Sequence, residues 1–184
     1  MSRRPKIKTI GMIGRWQPVH LGHEAALRAL CDQFEKVSIG IGSSNIEDYR
    51  CPFTQHEVIE MLEIVLPGYS NFTLIPVADM PDDEDWTQSL LSRFEGVEHF
   101  VTANPYVSHL LRGHFSLSHP ASFIPAESKV AVSGTMVRRE MACGDRWKAF
   151  VPRGIADYIL DHGLDKRFRQ AYGLHTLAME TIIV

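Results

Sequence analysis

The sequence predicts an α/β fold, a doubly wound parallel sheet with helices on both faces and a helical C-terminal region. Two observations carry this expectation. Short apolar runs alternate with segments of helical period from about residue 8 to residue 124, and beyond Ser133 the pattern is helical only. The 184 residues, 45% hydrophobic and 22% charged, suit a single domain over 1–184, with its core at about 8–163.

The first strand is the run Thr9-Ile10-Gly11-Met12-Ile13, followed by a helix that carries Leu27, Leu30 and Phe34 inward. A second strand, Val37 to Ile41, ends at Gly42-Ser43-Ser44. Thr54 and Glu57 have the spacing of a capping box, so the next helix starts at Thr54 and buries Val58, Met61, Leu62 and Val65. Phe72 to Val77 is the third strand, and the helix after it runs through Trp86, Leu90, Leu91 and Phe94. His99 to Thr102 gives a fourth strand, a helix follows Asn104-Pro105, and Ala121 to Ile124 gives a fifth strand. Strands alternating with helices imply right-handed crossovers, hence a Rossmann-like parallel sheet. Two helices follow, from about Thr135 to Ala142 and from about Gly154 to Leu160, the latter stopped by Gly163. The tail, 164–184, reads either as a further helix or as the stump of a linker.

Composition excludes several partners. The formal charge is −3 and the only basic start is Arg3, Arg4, Lys6 and Lys8, so no nucleic-acid footprint is expected. No run approaches the ~18 apolar residues of a membrane span, and no secretory h-region follows the N-terminus. The three cysteines, Cys31, Cys51 and Cys143, lack metal-site spacing and fit free thiols in a reducing, cytoplasmic setting.

Ligands of parallel α/β sheets bind beyond the carboxyl ends of the strands, so the junction after the first strand is the first candidate site. It reads Gly14-Arg15-Trp16-Gln17-Pro18-Val19-His20-Leu21-Gly22-His23. Two imidazoles around a glycine at a helix start suit phosphate, because free amides and the helix dipole already favour an anion there. A second helix mouth, Ser133-Gly134-Thr135-Met136-Val137-Arg138, offers a cap at Ser133 or Thr135 and a guanidinium one turn inside. The acidic run Asp82 to Asp85 reads as a solvated helix start, and His109, His114 and His119 read as surface residues. No metal-ligating cluster is expected.

Together, His20-Leu21-Gly22-His23 and the later Ser133 to Arg138 resemble the His-x-Gly-His, Ser-x-x-x-x-Arg nucleotidyltransferase superfamily. The longer string from Gly14 to His23, with Gly42-Ser43-Ser44, Arg50 before Pro52-Phe53-Thr54, Trp86, Asn104-Pro105 and Ser133-Gly134-Thr135, is similar to the archaeal-type nicotinamide mononucleotide (NMN) adenylyltransferases. The resemblance spans about residues 8 to 160. It implies adenylyl transfer from ATP to NMN, giving NAD and pyrophosphate, with Mg²⁺ accompanying ATP.

By position, it implies that His20, His23 and Arg138 act on the ATP phosphates. Gly14, Arg15, Gln17, Gly22, Asn104, Ser133 and Thr135 would complete the ATP site, and Arg50 and Trp86 the NMN site. Trp86 on its own reads as a core position; only the resemblance makes it a stacking platform. The resemblance also suggests a homo-oligomer. Two features depart from the family pattern. Val58 follows Glu57 where the family commonly has arginine, and the segment between Ser44 and Arg50 lacks the usual His-Ser character. No Nudix box appears before Val184. The alternatives are a pantetheine-phosphate adenylyltransferase, a cytidylyltransferase, or a catalytically silent nucleotide sensor.

Overall fold

A computed structural model describes residues 8–181; Arg3, Arg4 and Lys6 of the basic start, and 182–184 of the tail, lie outside them. Strand β1 (Thr9–Gly14) leads through α1 (Leu21–Gln33) to β2 (Lys36–Gly42), then α2 (Gln55–Val65) and β3 (Phe72–Val77). Helix α3 (Asp83–Arg93), β4 (His99–Val101), α4 (Pro105–Leu111) and β5 (Ser116–Ser118) follow. The chain finishes with α5 (Gly134–Cys143), α6 (Arg153–Asp161), α7 (Leu164–Phe168), a π-helical turn (Arg169–Gly173) and α8 (Leu174–Thr181).

The five strands are all parallel, in the order β3-β2-β1-β4-β5. The chain therefore moves outward from β1 to β3, then returns to the other side of β1. That reversal opens a crevice at the carboxyl ends of β1 and β4, where no crossover covers the sheet.

Alternate residues of the strands feed two cores. Ile10, Met12, Val37, Ile39 and Ile41 face the larger one, closed by Leu27 and Leu30 of α1, Val58 and Leu62 of α2, and Val137 and Ile155 further on. Phe100 and Val77 face the smaller one with Leu90 of α3, Phe94 just after it and Leu111 of α4, while Ile13 and Trp86 pack at its edge. The expected cap of α2 is present in both directions: the Glu57 N–H donates to Thr54 Oγ1 and the Thr54 N–H to a Glu57 carboxylate oxygen. Val58 is fully buried.

The fifth strand is not Ala121–Ile124. Pro120–Ser122 is a 3₁₀ turn capped by His119, whose Nδ1 accepts the Ala121 N–H at 3.2 Å, and the strand that pairs with β4 is the polar Ser116-Leu117-Ser118. Proline removes a ladder donor and fixes φ, so the apolar residues after it bury themselves from a turn: Phe123 packs edge-on to Phe34. An edge strand needs no apolar run because one of its sides has no neighbour.

Residues 164–181 of the tail are helical and pack on the core. Gly163, at φ 63°, turns the chain from α6 into α7, and Leu164 and Phe168 enter the larger core. Arg169 donates to the Met141 and Gly144 carbonyls at 3.2 and 3.1 Å and pairs with the buried Asp165. Arg167 forms a two-pronged pair with Glu57 at 2.6 and 2.7 Å and reaches the Pro52 carbonyl at 3.0 Å. Among the described residues no helix is long and apolar enough to cross a membrane.

Candidate active site

The loop between β1 and α1 is anchored before it presents anything. Trp16 takes φ 57°, a left-handed conformation costly for a side chain with a Cβ, and is held there by a buried ring whose Nε1 donates to the Gly40 carbonyl at 2.8 Å. The Gln17 amide grips the backbone of Phe53 with both ends, donating to its carbonyl and accepting from its N–H, each at 2.9 Å. With the loop fixed, His20 becomes the N-cap of α1: its Nδ1 accepts the His23 N–H at 3.3 Å. An accepting Nδ1 places the ring proton on Nε2, so His20 retains one donor.

The His20 and His23 rings stack at 3.5 Å with 18° between their planes, and Trp16 meets His23 edge-on at 4.7 Å. Burial, then the Arg138 charge, lowers the His20 pKa from 6.5 to about 4. Burial and the neighbouring His20 hold His23 well below the ordinary histidine value, with the Pro18 backbone working in the opposite sense. Both rings are therefore neutral at physiological pH. Gly22 permits this stacking, since a Cβ there would lie 3.3 Å from the His20 ring and 3.5 Å from Val132.

Helix α5 supplies the opposing cation. Ser133 caps it by accepting the Met136 N–H at 3.3 Å, and Arg138, only 8% exposed, donates to the Gln17 carbonyl at 2.7 Å and to Thr135 Oγ1 at 3.4 Å. The bond to Gln17 joins segments 121 residues apart. Gly134 leaves room at this junction, where a Cβ would sit a tight 3.0 Å from Arg138 Nη1 and 3.1 Å from the Gln17 oxygen.

These groups line one open cleft of about 870 Å³ at the switch point of the sheet. Gly14, Arg15 and Gln17 enter it from the loop after β1, and His20, Gly22 and His23 from the start of α1. Ser133, Thr135 and Arg138 come from α5, and Trp86 and Asn104 from α3 and the start of α4. Asn104 also caps α4, its Oδ1 accepting the Tyr106 N–H at 2.9 Å. Trp86 is half-buried against the smaller core and also lines the cleft.

Arg50 alone of the expected residues is not among those lining the cleft. It is exposed, donates to the Tyr49 hydroxyl at 2.9 Å and lies over that ring at 5.3 Å. Conversely, Asp79, Asp83, Tyr106 and Lys129 line the cleft without having been singled out from the sequence. Within the acidic run, Asp82 does cap α3, accepting from the Glu84 and Asp85 N–H groups, but Asp83 accepts the Tyr106 hydroxyl and faces the cleft. Its spacing one helical turn before Trp86 is the signal that could have separated it from its neighbours. His119 is exposed and also lines the cleft. Among the described residues no group of three or more His, Cys, Asp or Glu converges to hold a metal ion.

Residues 12–140 match the cytidylyltransferase-like family model. The chain is 31% identical to a nicotinamide-nucleotide adenylyltransferase of Methanocorpusculum labreanum over 157 residues, 84% of this chain and 92% of that one. It is 35% identical to the enzyme of the same name from Pyrococcus furiosus over 156 residues, 80% of each chain. Among solved structures, the fold matches a bifunctional NMN adenylyltransferase/ADP ribose pyrophosphatase of Francisella tularensis at a TM-score of 0.68 and 16% identity. That match covers 89% of this chain and 53% of the other, so the chain spans about half the length of that bifunctional protein. By the family model and by identity to curated members over four-fifths of its length, the chain belongs to the nicotinamide-nucleotide adenylyltransferase family, within the cytidylyltransferase-like fold.

Proposed function

We propose that this protein transfers the adenylyl group of ATP to nicotinamide mononucleotide, forming NAD and pyrophosphate. The observation that carries the reading is a single cleft in which two neutral imidazoles, two helix N-termini and a buried guanidinium converge, with an aromatic ring on another wall. Amides, imidazole N–H groups and guanidinium are phosphate ligands; the ring suits a planar base.

The acceptor phosphate is ionised near pH 7, so the reaction needs no general base. One of its oxygens attacks the α-phosphorus of ATP in line. A new P–O bond forms, the bond from the α-phosphorus to the α,β-bridging oxygen breaks, and pyrophosphate departs with the electron pair. What remains for the protein is positioning and charge stabilisation. His20 and His23 donate to oxygens where charge accumulates. Their depressed proton affinity rises as phosphate charge arrives, which strengthens these bonds in the direction of reaction. Arg138 neutralises the leaving pyrophosphate with a planar fork fixed in place by the Gln17 carbonyl.

Gly14, Gln17 and Gly22 contribute backbone to the ATP site, Arg15 its charge, and Ser133 and Thr135 the mouth of α5, with Asn104 on the adenine side. Trp86 stacks on the acceptor base, and Arg50 is assigned to the acceptor phosphate on the strength of the family resemblance. His20, His23 and Arg138 would hold the phosphates of a nucleotide that carries Mg²⁺, and the ion would supply further charge neutralisation. We place the protein in the cytoplasm as a homo-oligomer acting on ATP, NMN and NAD, with no nucleic-acid or membrane partner. The free thiols of Cys31, Cys51 and Cys143 and the net charge of −3 support the cytoplasmic placement and the absence of a nucleic-acid partner, and the homo-oligomer rests on the family resemblance.

Pyrophosphate release with ATP or CTP against NMN and against phosphopantetheine tests the proposal. NAD formation from ATP and NMN alone is the expected result. Turnover with CTP or phosphopantetheine instead, or binding of NMN and ATP without pyrophosphate release, would overturn it.

A further inference from the structure

We infer that Arg167, on the C-terminal tail, is a positioning residue for adenylyl transfer: it fixes the tilt of two peptide planes that hold Gln17, and through Gln17 it aims the guanidinium of Arg138. The inference rests on the proposed phosphate role of Arg138. Arg167 itself is not among the residues lining the cleft.

A trans peptide unit is a rigid plane whose carbonyl and N–H point in opposite directions, so the two turn together. The unit joining Pro52 to Phe53 is held at both edges: its carbonyl accepts Arg167 Nη2 at 3.0 Å, and its N–H donates to Gln17 Oε1 at 2.9 Å. The next unit, joining Phe53 to Thr54, is held in the same way. Its carbonyl accepts Gln17 Nε2 at 2.9 Å, and its N–H donates at 2.9 Å to Glu57 Oε2, the oxygen that also accepts Arg167 Nη2 at 2.7 Å. Gln17 thus lies along one side of both planes, and Arg167, directly or through Glu57, along the other.

The buried ring of Phe53 fixes where that residue sits in the larger core, and what meets the edges of its peptide planes fixes how they tilt. A charged donor on the Pro52 carbonyl also polarises the unit and strengthens the N–H bond to Gln17. Burial raises the Glu57 pKa, but the bonds from Arg167 and Thr54 outweigh it and hold the carboxyl below its ordinary value, so the pair stays charged near neutral pH. From Gln17 the placement passes to the cleft within one residue. Its backbone carbonyl accepts Arg138 Nη1 at 2.7 Å, and both residues are buried, so a shift of the Gln17 amide is carried to the guanidinium. A continuous path of hydrogen bonds therefore joins the tail, the segment before α2, the loop after β1 and helix α5.

The test is a double-mutant cycle between Arg167 and Arg138, read as kcat/KM for ATP at saturating NMN, with a thermal melt of every variant. Displacing the Arg138 guanidinium without removing it takes part of its roughly 10²-fold contribution, so Arg167→Met should lower kcat/KM about tenfold at a temperature where the variant is folded. Arg167→Lys keeps a charge for Glu57 but has no fork to reach Pro52 as well, and should fall about threefold. In the Arg138→Lys background no fork is left to aim, so adding Arg167→Met should cost less than about twofold. Tyr158→Phe is the control: it removes a different bond to α2, at Glu60, that touches neither peptide plane, and kcat/KM should stay within about twofold. Three results would each overturn the inference and leave the adenylyl-transfer reading intact: Arg167→Met that melts lower but keeps kcat/KM within about twofold, full additivity with Arg138→Lys, or an equal loss in Tyr158→Phe. If Arg167→Met does not fold, the same cycle with Arg167→Lys decides. A wild type that releases no pyrophosphate from ATP and NMN would instead remove that reading and this inference with it.

Discussion

Arg138→Lys separates the two things this guanidinium does. In the resting protein it bridges the Gln17 carbonyl at 2.7 Å and Thr135 Oγ1 at 3.4 Å; a lysine ammonium in the same burial can keep the first bond, but it has no planar fork to hold a second donor toward the cleft. Losing the bond to Thr135 costs about 1–2 kcal/mol of stability. The catalytic cost is larger, because a donor aimed at developing charge contributes roughly 10²-fold. We expect kcat/KM for ATP to fall on the order of 10²-fold, with KM for ATP raised, while the melting temperature drops by only a few degrees. Arg139, exposed and about 100° further round α5, supplies the control: Arg139→Lys should change kcat/KM less than about twofold. Steady-state pyrophosphate release over a range of ATP concentrations, with thermal melts of both variants, measures each quantity. If Arg139→Lys is damaging and Arg138→Lys is silent, the junction between the two segments is not the phosphate site and the reasoning fails.

Because His20 titrates near 4 when folded and near 6.5 when unfolded, the unfolded chain binds more protons between those values, and stability should be full above about pH 6.5 and lost as pH falls toward 4. At ~1.4 kcal/mol per factor of ten in proton affinity this amounts to about 3 kcal/mol, and urea midpoints that fail to fall over that window, or that fall equally in His20→Asn, would show that His20 is not the group responsible. Trp86→Ala should weaken NMN binding about tenfold, as loss of a base-stacking ring does, and also cost about 2 kcal/mol because part of the ring packs against the smaller core. Calorimetric titration with NMN checks the first effect, and unaltered affinity in a folded variant would return Trp86 to the core. Arg167→Met removes the two-pronged pair with Glu57; since the arginine side chain is 41% exposed, solvent screening holds the expected loss to about 1–2 kcal/mol, read as a lowered denaturation midpoint. No change there would mean that the tail does not fasten the segment at Pro52–Glu57.

Some of this molecule is decided by interactions within a few residues, and that part was legible from the residues alone. The β/α alternation, the capping box of Thr54 and Glu57 and the helix mouths at His20 and Ser133 depend on period, caps and turns that recur within one helical turn. The chain itself therefore determined a parallel sheet with two phosphate-suited helix starts, and its ordered motifs placed it with the adenylyltransferases.

Tertiary structure decided what depends on distant partners. The apolar run after Pro120 gave way to the polar strand Ser116–Ser118 because pairing with β4, not local hydrophobicity, defines an edge strand. The tail became helix because Phe168 finds the larger core and Arg167 finds Glu57, 110 residues away. Arg50 lies over Tyr49 rather than in the cleft, while Asp83, indistinguishable in composition from its acidic neighbours, enters it through Tyr106. The neutral state of the two histidines has the same origin. The His20 proton affinity is set by burial and by a guanidinium that arrives from α5, the His23 affinity by burial and by His20 stacked beside it, and only the closed fold brings these groups together.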